Sequence, residues 1–162
     1  MKKGFGQLFQ RIAIGWHVIE QPPLTLIKSI EMAGCYIVDD DFMLVSRWLL
    51  DDVPADGNPL EELSKAFLHR SATTAAKYDL RREDKGQYLL KQVKTMGAEG
   101  VVFAAPSFCD PALLERPMLQ DVLTQHKIPH TAFKYAENTG QMAPIREQAG
   151  TFADSIKLWN AA

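Results

Sequence analysis

The chain has 162 residues, of which 46% are hydrophobic and 23% are charged, and this composition excludes the disordered and fibrous classes. Its 18 Lys and Arg residues nearly balance 20 Asp and Glu residues, for a net charge of −2, which argues against a nucleic-acid-binding module. No apolar run approaches the roughly 20 residues that a membrane span needs. The basic N-terminus lacks the apolar segment and cleavage site of a signal peptide.

The first half of the chain predicts two helices and one strand. Two prolines precede a helix whose apolar positions are Leu24, Ile27 and Ile30, and Gly34 is its predicted cap. A buried strand follows at 35–38, and three aspartates at 39–41 are expected to end it. The next predicted helix has Asn58 as N-cap and Pro59 as its first residue, and it carries three apolar residues on one face: Leu60, Leu63 and Phe67.

The second half alternates regularly between helices and strands. A helix is predicted at 82–96, then a strand at 100–105, whose continuous apolar run is typical of burial on both faces. Asp110 and Pro111 read as the N-cap and first residue of a helix. Its predicted apolar positions are Leu114, Met118 and Val122. A strand at 130–135 precedes a last helix, which is predicted to open at Pro144 with one apolar stripe: Ile145, Ala149, Phe152, Ile156 and Trp159.

Strands that alternate with helices predict a parallel sheet covered on both faces, so the expected fold is α/β, a Rossmann-like three-layer domain with a mainly parallel sheet.

Ligands of such sheets bind beyond the carboxyl ends of the strands. Cys109 follows the strand at 100–105 and lies at a helix N-terminus, where unpaired N–H groups favour a thiolate. A thiolate suits a nucleophile or an iron–sulfur ligand, although a small inert buried cysteine explains the residue equally well. Cys35, inside a hydrophobic strand, is expected to be core.

Four polar residues near the same edge are candidates for substrate binding. Asp40 belongs to an acidic run that suits a divalent cation or a helix cap. Arg47 follows it and is able to pair with those carboxylates or to reach a substrate. Gln141 ends the segment after the strand at 130–135, and Arg146 is predicted in the first turn of the last helix, where a cation opposes the helix dipole.

Short signatures for the common cofactors and hydrolases are missing, including GxGxxG, GxxxxGK[ST], GxSxG and HExxH. Three longer stretches are distinctive instead: EQPPLTLIKSIEMAGCYIVDDDFMLVSRWLL, GAEGVVFAAPSFCDPALLERPMLQ and KYAENTGQMAPIREQAGTFADSIKLW. They resemble the carboxy-terminal part of ATP-dependent benzoyl-coenzyme A reductases, closest to the B subunit, in a family that also contains the 2-hydroxyacyl-coenzyme A dehydratases. SFCDP, followed at a distance by REQAGTF, makes this resemblance specific.

The resemblance implies a subunit with α/β lobes in which cysteines bind a [4Fe–4S] cluster near an acyl-coenzyme A site. The cysteine of the family's FCDP sequence is a cluster ligand, and this role carries over to Cys109. The implied partners are sister reductase subunits, an ATP-hydrolysing electron activator, ferredoxin and the acyl-coenzyme A substrate. The implied reaction is reduction of the benzoyl ring to a cyclohexadiene thioester, in the cytoplasm of an anaerobically growing microbe.

The chain also departs from the family pattern. Its resemblance runs over residues 20–159. We expect residues 20–162 to form one C-terminal α/β domain and residues 1–19 to be an atypical N-terminal segment. Ile19 stands where the family leads us to expect a cysteine, and the other cluster cysteines of the family lie upstream. The expected function is therefore a reductase subunit or fragment. The alternatives are a dehydratase subunit and a non-catalytic α/β remnant without a complete cluster site.

Overall fold

A computed structural model describes residues 10–15, 22–40, 52–70, 85–136 and 142–160, and the structural statements below concern these ranges. The elements in chain order are β1 (Gln10–Gly15), α1 (Leu24–Met32), β2 (Cys35–Asp40), α2 (Pro59–Lys65) with a π-helical continuation (Ala66–Arg70), α3 (Lys85–Met96), β3 (Gly100–Pro106), α4 (Asp110–Gln125), β4 (His130–Tyr135) and α5 (Met142–Asn160). None of the helices within these ranges has the length and apolar character needed to cross a bilayer.

The four strands form one parallel sheet in the order β2-β1-β3-β4. β1 pairs with both β2 and β3, although its short sequence QRIAIG did not lead us to predict a strand. The separation of residues 1–19 as an atypical segment stays a prediction, but β1, which lies within them, is an interior strand of the sheet.

Two hydrophobic clusters lie against alternating residues of β3, because successive side chains of a strand point to opposite faces. One cluster joins α1 and α5 to Val102 and Ala104 of β3. The other joins α3 and α4 to Val101 and Phe103. The expectation of an α/β domain with a parallel sheet is confirmed, whereas its designation as a Rossmann-like three-layer fold stays a prediction.

The predicted ends of α1 and α3 and the predicted start of α2 agree with the structure, because they depend on local chemistry. Gly34 and Gly97 have φ angles of 96° and 60°, in the left-handed region that glycine tolerates and that ends many helices. The Asn58 side chain accepts the backbone N–H groups of Leu60 and Glu61 at 3.0 and 3.5 Å, as an N-cap does.

The predicted buried face of α4 was wrong. Leu114 and Met118 are 76% and 55% exposed, and Val122 is only partly buried. The helix instead buries a neighbouring stripe, which consists of Ala112, Glu115, Leu119 and Leu123. Both stripes have helical spacing, and the charged Glu115 made the buried one look less apolar.

Other residues of the predicted apolar faces are also exposed. Those on α2 and its π-helical continuation, Leu60, Leu63 and Phe67, are all more than half exposed. Leu24 and Trp159, at the ends of α1 and α5, are 80% and 74% exposed. Helical spacing identifies an apolar face of a helix, but it does not show how much of that face the rest of the domain covers.

We expect Gly100→Ala to destabilise the domain by about 1–3 kcal/mol, as overpacking of a core does. A Cβ atom at this position would meet Ile156 Cδ1 at 2.7 Å and Phe152 Cζ at 2.8 Å. The measurement is the free energy of unfolding by urea.

Gly150→Ala is the matched control, because its Cβ would meet the nearest atom, the Ala33 carbonyl oxygen, at an ordinary 3.6 Å. In helix α5 this change should stabilise by about 0.5–1 kcal/mol, since alanine loses less backbone entropy than glycine. Equal effects of the two substitutions would contradict the close packing of α5 on β3.

Candidate functional site

The strand order reverses next to the turn that follows β3. The chain runs from β1 outward to β2 and later returns to place β3 on the other side of β1. Ligands of open parallel sheets bind at the carboxyl ends of the strands where the order reverses in this way. The segment after β3, Ser107 to Cys109, lies at this point, and residues 16–20, which follow β1, lie outside the described ranges.

The turn after β3 is tied to β4 by hydrogen bonds. Both the backbone N–H and the hydroxyl of Ser107 donate to the Tyr135 carbonyl, at 2.9 and 3.1 Å. The Cys109 N–H donates to the Pro106 carbonyl at 3.1 Å. These bonds fix the backbone that carries the Cys109 thiol, while the neighbouring Phe108 side chain is 95% exposed.

Cys109 is the N-cap residue of α4, one position earlier than the Asp110 that we predicted. Its carbonyl accepts the Leu113 N–H at 3.1 Å, which is the first hydrogen bond of the helix. The thiol is half-buried. The predicted position of Cys109, between a buried strand and a helix N-terminus, is thus confirmed, and its role as a ligand stays a prediction.

Cys35 has a different environment and is a core residue, as predicted. It is 1% exposed, and its thiol donates a weak hydrogen bond to the Ala149 carbonyl at 3.8 Å. Burial raises the pKa of this thiol from 9.0 to about 11, and the positive charge of Lys157 lowers it only in part. Cys35 is therefore neutral near pH 7 and poorly suited to bind a metal.

The two thiols lie at opposite ends of the sheet. Cys35 pairs with Gln10 of β1, and Ile12, two residues later on β1, pairs with Gly100 at the start of β3. Cys109 lies beyond the other end of β3, which is Pro106. At about 3.3 Å per residue, these levels are roughly 26 Å apart along the strands. The two cysteines therefore cannot ligate one cluster.

Asp40 lies at the same edge as Cys109 but at a different level. β2 continues through Asp39 and Asp40, which were expected to end it. Asp40 pairs with Ile14, which also pairs with Val102. Asp40 is thus level with Val102, which lies four residues before Pro106 at the end of β3. The levels of Asp40 and Pro106 are therefore roughly 13 Å apart along the strand direction. Its N–H donates to the Asp39 carboxylate at 3.0 Å, and its side chain is half-buried.

The position expected for Arg146 requires a correction. α5 begins at Met142 rather than at Pro144, so Arg146 is its fifth residue and lies beyond the first turn. The argument that a cation there opposes the helix dipole no longer applies, because the effect falls off within that turn. The Arg146 side chain is exposed. The other two substrate-binding candidates, Arg47 and Gln141, lie outside the described residues.

The residues of this chain do not form a complete [4Fe–4S] site. Such clusters are held by four cysteine thiolates, whereas the chain has two cysteines and only Cys109 lies at the candidate site. Among the described residues, no group of three or more His, Cys, Asp or Glu side chains is arranged to hold a metal ion. The chain therefore offers a cluster at most one thiolate at this edge.

Glu115 is a buried charged residue that the sequence reasoning missed. It is 8% exposed and is the one charged side chain that the described part of the structure buries. It lies on the inner face of α4, about 9 Å along the helix from Cys109 at 1.5 Å per residue. Its spacing from Ala112 and Leu119 was the available signal, but a glutamate at an inward position is usually read as solvent-exposed.

The family and its members agree with the resemblance found in the sequence. The profile of the 2-hydroxyglutaryl-CoA dehydratase D-component family matches residues 3–156. The C subunit of the benzoyl-CoA reductase of Thauera aromatica is 67% identical over 150 residues, which are 93% of this chain and 39% of that protein. The reductase relative is thus the C subunit, where the B subunit was expected.

Dehydratase subunits are more distant relatives. The (R)-phenyllactyl-CoA dehydratase beta subunit of Clostridium sporogenes is 30% identical over 131 residues, or 81% of this chain and 34% of that protein. The beta subunit of the (R)-2-hydroxyglutaryl-CoA dehydratase of Acidaminococcus fermentans is 28% identical over 134 residues, or 81% of this chain and 35% of that protein. The chain spans two fifths or less of these relatives. The match to the family profile over nearly all of its length shows that the chain belongs to the 2-hydroxyglutaryl-CoA dehydratase D-component family.

Proposed function

We propose that this chain is part of a benzoyl-CoA reductase subunit, which works in a hetero-oligomer that reduces the aromatic ring of benzoyl-CoA to a cyclohexadiene thioester. The observation that carries the proposal is the 67% identity to a reductase subunit over 93% of the chain. The identity to the dehydratase subunits is 30% or less, which favours the reductase within the family.

Within this proposal, Cys109 supplies one ligand of a [4Fe–4S] cluster whose remaining ligands come from outside this chain. Its support is the half-buried thiol at a helix N-terminus beside the point where the strand order reverses. Asp40, Arg47, Gln141 and Arg146 remain proposed substrate-binding residues. Since one thiolate cannot hold a cluster, we expect the isolated chain to be inactive.

The proposed partners follow from the same relatives. All three relatives described above are named as subunits, which supports sister subunits as partners of this chain. Electrons would come from ferredoxin through an ATP-hydrolysing activator, and the substrate would be an acyl-coenzyme A thioester. The proposed location is the cytoplasm of an anaerobically growing microbe.

The alternative within the family is a dehydratase subunit, supported by the matches to dehydratase beta subunits. Anaerobic incubation of the assembled complex and its activator with benzoyl-CoA and with a 2-hydroxyacyl-CoA separates the two functions. We expect the benzoyl thioester alone to react. Turnover of the 2-hydroxyacyl thioester alone would replace our proposal with the dehydratase.

Iron reconstitution tests the role of Cys109. The chain alone should bind no cluster, whereas the chain with its sister subunits should develop the brown iron–sulfur absorption under anaerobic conditions. Cys109→Ser should abolish or alter that absorption and its electron paramagnetic resonance signal, because it removes a soft thiolate ligand. Cys35→Ala is the matched control and should leave both signals unchanged, since Cys35 is a core residue.

If the complex with Cys109→Ser carried the same cluster signals as the unaltered complex, Cys109 would not be a ligand. If the unaltered complex formed no cluster at all, the chain would be a non-catalytic member of the family.

Thiol labelling with a maleimide at neutral pH tests the different environments of the two cysteines. We expect Cys109 to react first and Cys35 much more slowly, because the Cys35 side chain is only 1% exposed and burial raises its pKa from 9.0 to about 11, which leaves very little of its thiolate at neutral pH. Mass spectrometry of the native chain measures both rates. In Cys109→Ser only the slow reaction should remain, and a single rate for both thiols in the native chain would contradict the structure.

A further inference from the structure

A concave surface lies at the amino end of the sheet, opposite the edge that carries Cys109. It has a volume of about 700 Å³ and lies between the end of α4, the start of β4 and the second half of α5. Cavities that bind small molecules have volumes of about 300–1,000 Å³ and are mostly apolar with a few polar groups. Nothing in the proposed reductase function uses this end of the sheet.

The floor and rim of this cavity are apolar and partly aromatic. Phe152 and Ile156 form buried parts of the lining, and the missing side chain of Gly100 lets both approach β3. Trp159 also lines the cavity but is 74% exposed, so a large aromatic ring is left in contact with water. Aromatic rings of this kind bind other rings by stacking or edge contacts.

Lys127 gives the cavity an uncompensated positive charge. It is an exposed residue just beyond α4, and no ion pair or hydrogen bond of its ammonium group occurs among the described residues. Its φ angle of 56° lies in the left-handed region, where lysine is less favourable than glycine or asparagine. Asp154, on the same helix as the lining residues Phe152 and Ser155, pairs with Lys157 at 2.9 Å.

Three other polar groups of the lining have partners within the fold. The Ser155 hydroxyl donates to the Phe152 carbonyl at 2.7 Å, and the Thr124 hydroxyl donates to the Gln120 carbonyl at 2.8 Å. The His130 Nδ1 lies 3.0 Å from the Ile128 carbonyl, which can only accept. Lys127 is the one lysine or arginine among the described lining residues, so its ammonium group is the charged donor available to a ligand.

We propose that this cavity binds a small aromatic anion, with its ring against Trp159 and Phe152 and its negative group at Lys127. The proposal joins the cavity volume, the aromatic lining and the unpaired ammonium group, and it is independent of the proposed reductase function. The carbonyl groups at the end of α4 weaken the site little, because the N–H groups of residues 126–128 already bond three of them.

The test is a fluorescence titration of the full chain with two dyes of the same ring system, the anionic anilinonaphthalene sulfonate and the neutral phenylnaphthylamine. Lys127→Asn should weaken sulfonate binding about tenfold, as the loss of a charge-assisted contact does, and leave the neutral dye within twofold. Trp159→Ala should weaken both dyes. Lys134→Asn removes an exposed lysine of β4 that does not line the cavity and should change neither.

Three outcomes would overturn the proposal. The first is an equal effect of Lys127→Asn and Lys134→Asn on the sulfonate, which would mean general attraction by surface charge. The second is equal binding of both dyes to all variants, as a loosely packed chain would give. The third is a dimer in sedimentation that excludes the dyes, which would make the cavity an interface between copies. Circular dichroism in the near ultraviolet, compared among the variants, shows that each one is folded.

Discussion

The burial of β3 on both faces is the constraint on which the rest of the domain depends. Its first six residues are buried, and it pairs with β1 on one side and with β4 on the other. Alternate side chains of this strand anchor the α1–α5 cluster and the α3–α4 cluster. Because the strand is fixed in this way, the turn at its carboxyl end holds Cys109 at a set place beside the reversal of strand order.

The parts of the fold that the sequence predicted depend on local chemistry. The run 100–105 could be read as a doubly buried strand, and glycines and an asparagine marked helix ends, because each of these signals acts within a few residues. β1 was missed since its six residues become a strand through pairing on two sides, which no local pattern records. The buried stripe of α4 was missed because an ionisable residue, Glu115, is part of it.

The candidate site was predictable in position but not in detail. Cys109 could be placed from a buried strand followed by helix-start residues. The level of Asp40 in the sheet could not be predicted, because strand register is a property of pairing between distant segments. The misplacement of Arg146 came from reading Pro144 as the start of α5, whereas the helix begins two residues earlier. The level of Asp40 and the position of Arg146 each depend on a shift of a few residues or one helical turn. Shifts of this size decide whether two side chains are in contact.

The separation of the two cysteines also determines how the domain responds to oxidation. A disulfide needs Cα atoms within about 7 Å of each other, and the levels of Cys35 and Cys109 in the sheet are several times farther apart. The folded domain therefore cannot form an intramolecular disulfide between these two cysteines. Any covalent dimer that air produces from the native chain must join Cys109 to Cys109 of another copy, which leaves the core thiol in its reduced form.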